Sequence, residues 1–282
     1  QVLQECMGYD PADPYACHVS MASQALPAAF RFGVPNALNF FGDALAESAF
    51  AQSIENLKRL GGQAVTIDYA PLAEAAAMLY ESALVSQRYA AIQTFFDTHE
   101  ADVIEPVRSI IAQGRQYSAA DYIRAETELK RLEKRAECMW QDIDVLLVPT
   151  ASTHYTIEDM QADPVVCNRN LGQYTNFVNL FDYAALSVPS QIRSDGLPFG
   201  ITLIGRAGSD WQLAELGQRY HHATGLLQGA TDIPLPQISP IAGLQTPATV
   251  HVAVVGAHLS GMPLNTQLTE RGARLLRAAR TT

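Results

Sequence analysis

Four polar side chains stand among core-type residues in the segment YTNFVNL, where their hydroxyl and amide groups could line a cleft. They are Tyr174, Thr175, Asn176 and Asn179. Buried hydrogen-bonding groups must find partners, so the simplest interpretation is a set of satisfied polar groups within the core. Asn176, which lies next to two predicted core strands, is the best of the four for lining an active cleft.

Histidine and cysteine give weaker signals. His154 follows a strand end, where α/β sheets place functional loops, but a single loop histidine is more often bound to solvent than catalytic. His221 and His222 end a helix, where a cation suits the helix dipole, and adjacent residues point to different faces and make a poor metal pair. The four cysteines, at positions 6, 17, 138 and 167, form no CxxC pair and no zinc pattern. We therefore predict free thiols, no metal and no cofactor.

Motifs for hydrolysis and for nucleotide binding are missing from the sequence. The 282 residues contain no pair of adjacent serines and no Gly/Ser-rich loop. The patterns GxSxG, HExxH, GxGxxG and the P-loop are also absent. Gly61 and Gly62 are the one adjacent pair of glycines, and they are typical of a helix end. These residues therefore offer no serine in the setting that amide hydrolysis requires.

The composition indicates a folded, acidic protein. Hydrophobic residues make up 48% of the chain and charged residues 17%, which is enough apolar material for a sizeable core. The net charge of −10 argues against a nucleic-acid surface and against binding to anionic lipid. No apolar run reaches the ~18 residues of a membrane span, and we expect no leader sequence. We predict a cytoplasmic protein that acts on a small molecule, without a nucleic acid or a membrane as partner.

Hydrophobic periodicity predicts an α/β protein. A strand at 30–35, a helix at 44–60 with Asp43 as its N-cap, and a strand at 63–69 form a β-α-β unit, which implies a right-handed crossover and parallel pairing. The later elements are helices at 71–96, 101–113, 118–140, 177–181 and 210–224, and strands at 144–149, 185–189 and 199–205.

The last part of the chain changes in character. Residues 226–249 are rich in proline and lack a regular period, which indicates a linker. A new strand is predicted from His251 to Gly256. The remaining stretch is too short to bury a core by itself.

Three segments together resemble the C-terminal part of amidase-signature enzymes, and their details are most similar to allophanate hydrolases. The segments are YTNFVNL (174–180), SVPSQIRSDGLPFGITLIGR (187–206) and DVLLVPTASTHYTIEDMQADP (144–164). The resemblance covers essentially the whole chain. It implies an incomplete mixed sheet flanked by helices over 1–225, a linker over 226–249, and the start of a C-terminal domain with a γ-glutamylcyclotransferase-like fold over 250–282.

The resemblance also implies an activity. Allophanate hydrolases convert allophanate to ammonia and carbon dioxide in urea degradation, a part of nitrogen metabolism, and the resemblance suggests a homodimer. Family members use a Ser-cisSer-Lys set that precedes the segment matching GYDPADPYA (8–16). We therefore expect those residues upstream of Gln1, and we expect this fragment alone to be inactive. The alternatives are a non-catalytic amidase-like binding or assembly module, and an amidase with another substrate.

In the family, the Tyr and Arg of the segment matching MLYESALVSQR contact the substrate carboxylate, which gives that role to Tyr80 and Arg88. The types fit, because a guanidinium binds a carboxylate through two hydrogen bonds and a tyrosine donates another. Eight residues of regular helix separate them by about 12 Å, so a shared ligand needs a bend or an approach from opposite ends. The sequence departs nearby from the family pattern at 81–83. Without the resemblance, a surface arginine beside a core-edge tyrosine is the simpler interpretation.

Overall fold

The computed structural model describes residues 6–241, 243–244, 252–269 and 273. Five strands form one sheet in the order β2-β1-β3-β5-β4. They are β1 (Phe30–Pro35), β2 (Gly62–Ile67), β3 (Val145–Pro149), β4 (Ala184–Ile192) and β5 (Pro198–Gly205). β1 is parallel to β2 and β3, whereas β5 is antiparallel to β3 and β4. The predicted mixed α/β sheet flanked by helices is confirmed.

The β-α-β unit forms as the sequence predicts. Helix α1 (Ala44–Arg59) connects β1 to β2, and the carboxylate of Asp43 accepts the backbone N–H of Ala46 at 2.9 Å as the N-cap. Gly61 follows the helix with φ +98°, and a Cβ there would collide with the carbonyl oxygen of Ala28. Only glycine suits this backbone position, which turns the chain into β2.

Helices cover both faces of the sheet. On one face, α1 and α9 (Asp210–Thr224) pack with the aromatic rings of Phe30, Phe32 and Phe199. On the other face, α2 (Ala70–Glu81), α5 (Ala119–Ala136) and α8 (Phe177–Leu180) pack over Leu146, Val148 and Ile204. All five residues of β3 are buried, as expected for the central strand of a two-sided core.

The predicted helix over 71–96 is wrong, because the chain breaks at Ser82. α2 ends at Glu81, Ser82 is extended, a 3₁₀ turn spans Ala83–Val85, and α3 (Ser86–His99) begins anew. The Ser82 hydroxyl donates to the Met78 carbonyl at 2.7 Å and accepts the Leu84 N–H at 3.2 Å, which replaces helical hydrogen bonds. The three residues of the 3₁₀ turn are all buried, which one face of a regular helix does not permit.

Other helices are shorter than predicted. The region 101–113 contains only α4 (Val107–Ala112) between 3₁₀ turns, and α5 passes into a 3₁₀ turn at Glu137–Gln141. The periodicity did not predict α6 (Ile157–Ala162) or α7 (Pro164–Gly172), whose N-caps are Thr156 and Asp163. No helix among the described residues has both the length and the apolar character needed to cross a bilayer.

The tail differs from its prediction. Residues 226–241 contain no helix or strand, and the linker over 226–249 stays a prediction. Residues 252–255 are irregular and Gly256–His258 form a 3₁₀ turn, so the predicted strand is wrong for these residues, and His251 lies outside the described part. α10 (Asn265–Thr269) follows.

Candidate functional site

The break at Ser82 brings Tyr80 and Arg88 together. Tyr80 lies in the last turn of α2 and Arg88 in the first turn of α3. The guanidinium carbon of Arg88 lies 4.9 Å from the centre of the Tyr80 ring, which is cation–π geometry. A continuous helix would have kept the two side chains apart.

One donor of Arg88 is unused. Its Nη1 is buried and has no hydrogen-bond partner among the described residues. A buried unpaired donor costs about 1–3 kcal/mol, and more when it is charged, so a partner from outside is favoured. The Tyr80 hydroxyl accepts a hydrogen bond from Nδ2 of Asn168 at 3.2 Å, which leaves its own O–H to donate. Each of the two side chains therefore keeps one donor that no described residue accepts.

An ion pair connects the neighbouring helices. Arg169 on α7 contacts Glu81 on α2 at 3.5 Å, and both side chains are about half exposed. Such a pair adds little stability, but it balances the negative charge that Glu81 places next to Tyr80. Arg169 therefore compensates the charge of Glu81, one of the residues at which this sequence departs from the family pattern.

A cleft of about 520 Å³ opens at the carboxyl ends of the parallel strands. Asn36 directly follows β1 and Asp68 directly follows β2, and both line the cleft. Open α/β sheets commonly bind ligands at this edge. Asn176 also lines it, and a Cβ on Gly172 would collide with the Asn176 side chain. A role for Asn176 in substrate binding stays a prediction.

Two buried tyrosines form the inner wall of this cleft. The Tyr174 hydroxyl accepts the Asn39 N–H at 2.7 Å, and the Tyr69 hydroxyl donates to the Gln173 carbonyl at 2.9 Å. Burial raises the pKa of both phenols, that of Tyr69 strongly, although the Asn39 N–H offsets part of the effect at Tyr174. Tyr174 is thus one of the satisfied core polar groups that the sequence predicts.

Sequence reasoning missed a buried ion cluster around Arg193. Its side chain is 5% exposed and contacts Asp43 at 2.8 Å and Asp195 at 2.6 Å. It also donates to Nδ1 of His154 at 3.0 Å, and because arginine has no acceptor, this nitrogen must be unprotonated. His154 is therefore held in a structural cluster. The sequence signal that could have predicted this cluster is Arg193 followed two residues later by Asp195, in the turn between two predicted strands.

The cluster perturbs its carboxylates. The hydrogen bond from Arg193 lowers the pKa of Asp195. At Asp43, burial raises the pKa, but the Ala46 N–H and Arg193 outweigh it and the net pKa is lowered. Both carboxylates stay ionised at neutral pH and fix the start of α1 to the β4–β5 turn.

The remaining histidine candidates occupy the end of α9. His221 and His222 lie in its last turn, as predicted, before Gly225 closes the helix with φ +73°. Nε2 of His221 is buried and has no partner among the described residues. Neither histidine is among the described residues that line the cleft.

The sequence matches two family models. The Amidase model matches residues 1–214, and the model of the allophanate hydrolase C-terminal domain matches residues 250–282. Urea amidolyase of Lachancea kluyveri is 38% identical over 275 residues, covering 92% of this chain and 15% of that protein. Urea amidolyase of Saccharomyces cerevisiae is 36% identical over 258 residues, covering 88% of this chain and 14% of that protein.

Solved structures share the fold. A serine-to-alanine variant of Kluyveromyces lactis allophanate hydrolase gives a TM-score of 0.79 at 34% identity, covering 93% of this chain and 45% of that one. Urea amidolyase of K. lactis gives a TM-score of 0.75 at 34% identity, and the match covers 94% of this chain and 17% of that protein. The chain thus spans less than half the length of these relatives. Its sequence and its fold both show that the chain belongs to the amidase family and is related to the allophanate hydrolases and urea amidolyases.

Proposed function

We propose that this chain supplies the substrate-recognition part of an allophanate hydrolase, in which Tyr80 and Arg88 hold the carboxylate. The observation that carries the proposal is the buried, unpartnered Nη1 of Arg88 above the Tyr80 ring. Allophanate has a planar carboxylate at one end and an amide at the other. A guanidinium that lacks an acceptor matches the first of these groups.

The overall reaction that we assign is hydrolysis of allophanate to ammonia and carbon dioxide, in the degradation of urea. The related allophanate hydrolase and urea amidolyases support this assignment. Specificity for allophanate over neutral amides would come from the carboxylate, because a buried cation left unpaired by a neutral ligand is penalised.

We also infer that these residues do not provide the hydrolytic machinery. The chain has no adjacent serines and only three lysines, all exposed on α1 and α5. Lys58 pairs with Glu55 and Lys130 pairs with Glu133, each at 2.7 Å. A lysine base must be desolvated to lose its proton near neutral pH, and an exposed, ion-paired lysine is not. The nucleophile and base would therefore come from other residues.

Three further assignments remain proposals. We divide the chain into the amidase part at 1–225, a linker at 226–249 and the start of a second domain at 250–282. A reducing compartment such as the cytoplasm agrees with free cysteines at 6, 17 and 138 that are exposed. A homodimer agrees with exposed apolar side chains on and between α3, α4 and α5, namely Ile92, Phe95, Ile104, Val107 and Ile123.

The test compares two small ligands of similar length, one charged and one neutral. Malonamate is a stable analogue of allophanate, and biuret replaces the carboxylate by an amide. We expect the purified chain to bind malonamate about tenfold or more tightly than biuret and to release no ammonia from allophanate. Equal affinities would contradict the carboxylate role and favour a different substrate. Ammonia release above that of a heat-inactivated control would contradict the absence of hydrolytic groups.

A further inference from the structure

The cleft at the ends of β1 and β2 contains amide side chains whose orientation the backbone fixes. Oδ1 of Asn36 accepts the Tyr69 N–H at 3.2 Å, and Oδ1 of Asn39 accepts the Phe41 N–H at 2.9 Å. A backbone N–H can only donate, so the atom that faces it must be the amide oxygen in both cases. The NH₂ group of each asparagine is left to donate elsewhere.

Gln173 has the opposite orientation. Its Nε2 donates to the Asn39 carbonyl at 2.8 Å and to the Ser152 hydroxyl at 3.0 Å. The carbonyl accepts only, so the amide nitrogen of Gln173 must face it and Oε1 is left to accept. Within the described part of the chain, these two NH₂ groups and this oxygen make no other hydrogen bond.

The size and walls of the cleft suit a small organic ligand. Its volume is about 520 Å³, and the alanines of α2, namely Ala73, Ala76 and Ala77, line it beside Leu38. Apolar walls with a few fixed polar groups are typical of small-molecule sites. The ionic groups in the lining are opposite in sign, Asp68 and Arg169, so the cleft has no net preference for an anion.

We propose that this cleft binds a neutral planar amide or ureido group. The ligand's carbonyl oxygen accepts from the NH₂ groups of Asn36 and Asn39, and its N–H donates to Oε1 of Gln173. Only the identity of the natural ligand rests on the proposed function, because allophanate carries such a group at the end opposite its carboxylate.

Aspartate substitutions test the two donors. Asn39→Asp keeps the oxygen that accepts the Phe41 N–H but replaces the NH₂ group by a second oxygen, and Asn36→Asp does the same beside Tyr69. At a pH well above the aspartate pKa, we expect each variant to weaken biuret binding by the full chain about tenfold or more, measured by ligand-observed NMR titration.

Asn56→Asp on α1 is the matched control. Its Oδ1 accepts from Nε2 of Gln52 at 3.1 Å, and aspartate keeps that acceptor at a site outside the cleft. We expect its biuret affinity to stay within about twofold of the unsubstituted chain. Thermal unfolding of all three variants checks that the fold is retained.

The outcomes separate this inference from the proposed function. Absence of saturable biuret binding by the unsubstituted chain would overturn the inference, as would unchanged affinity in both cleft variants. Biuret binding that depends on Asn39, combined with no preference for malonamate, would support the cleft and contradict the role of Arg88. Malonamate binding that depends on Arg88, with biuret affinity unaffected by Asn36→Asp and Asn39→Asp, would support the role of Arg88 and contradict amide binding in the cleft.

Discussion

Two arginines show how the surroundings of a residue decide its role. Each of the three side-chain nitrogens of Arg193 has a partner, because two carboxylates and His154 accept hydrogen bonds from them, and the residue joins the start of α1 to the β4–β5 turn. Arg88 is half-buried, stacks on Tyr80 and keeps a donor unused among the described residues. A buried cation whose nitrogens are all paired has a structural role, because removing one of its partners leaves a buried charge uncompensated. A buried cation with an unpaired nitrogen is a candidate for binding an anion. Side-chain type alone does not distinguish these roles.

The Arg193 cluster predicts a dependence of stability on pH. The folded-state pKa of Asp195 lies below its unfolded value of about 3.9, so its contribution is present above that value and is lost as pH falls through the folded pKa. We expect Asp195→Asn to lower Tm at pH 7, with the gap to the unsubstituted protein closing in acid. Thermal unfolding monitored by circular dichroism from neutral to acidic pH measures this gap. A gap that is the same at every pH would show that the carboxylate charge does not matter.

At the scale of elements, the sequence predicted the sheet better than the helices around it. The Asp43 cap, the glycine pair and the apolar strand runs each fix a boundary locally, and most of these boundaries are correct within about two residues. The exception is β4, which ends at Ile192, three residues after its predicted end at 189. The break at Ser82 was not predicted, because Ala83, Leu84 and Val85 fit a helical pattern as well as a buried 3₁₀ turn. That choice depends on packing with α5, which no local pattern contains. The resemblance assigned Arg88 and Tyr80 to one carboxylate, which requires them to be close, but the sequence did not show that a break at Ser82 brings them together.

The turn between α1 and β2 gives a prediction at this scale. Gly61→Ala combines a left-handed backbone with a collision against the Ala28 carbonyl, so we expect a loss of about 2–4 kcal/mol of unfolding free energy. Gly225→Ala, after α9, is the control, because its φ is +73° but nothing lies near the new Cβ. That variant should lose only about 1 kcal/mol. Urea unfolding of both variants measures these losses of unfolding free energy. Equal losses would contradict the predicted collision at Gly61.

At the scale of the whole molecule, the described part of the chain leaves two strand edges and several apolar side chains exposed. β2 and β4 form the two edges of the sheet, and strand edges with unpaired backbone groups favour association. Exposed apolar side chains such as Phe95 and Ile104 add to this tendency. The composition predicted a protein able to form a core, but only the fold shows which apolar residues remain outside it.

We therefore expect the chain to self-associate. Multi-angle light scattering of the purified chain should give a mass at least twice that of the monomer, rising with concentration. The substitutions Phe95→Lys and Ile104→Lys should reduce the mass measured by light scattering, because a charge at an apolar contact is costly to bury. Ser48→Lys is the control, because Ser48 is exposed on α1, which packs on the opposite face of the sheet. A well-behaved monomer at all concentrations would contradict the expectation.

The most direct test of the central claim is the effect of Arg88 on ligand preference. Arg88→Ala should cost about 2–5 kcal/mol of malonamate binding, a loss of one to three orders of magnitude or more, and should leave biuret binding nearly unchanged. Arg88→Lys should recover only part, because an ammonium cannot form the paired contact. Arg206→Ala is the control, since Arg206 also lies over an aromatic ring, that of Trp140, but is exposed. If Arg88→Ala weakened both ligands equally, Arg88 would support the fold, and the carboxylate role would be contradicted.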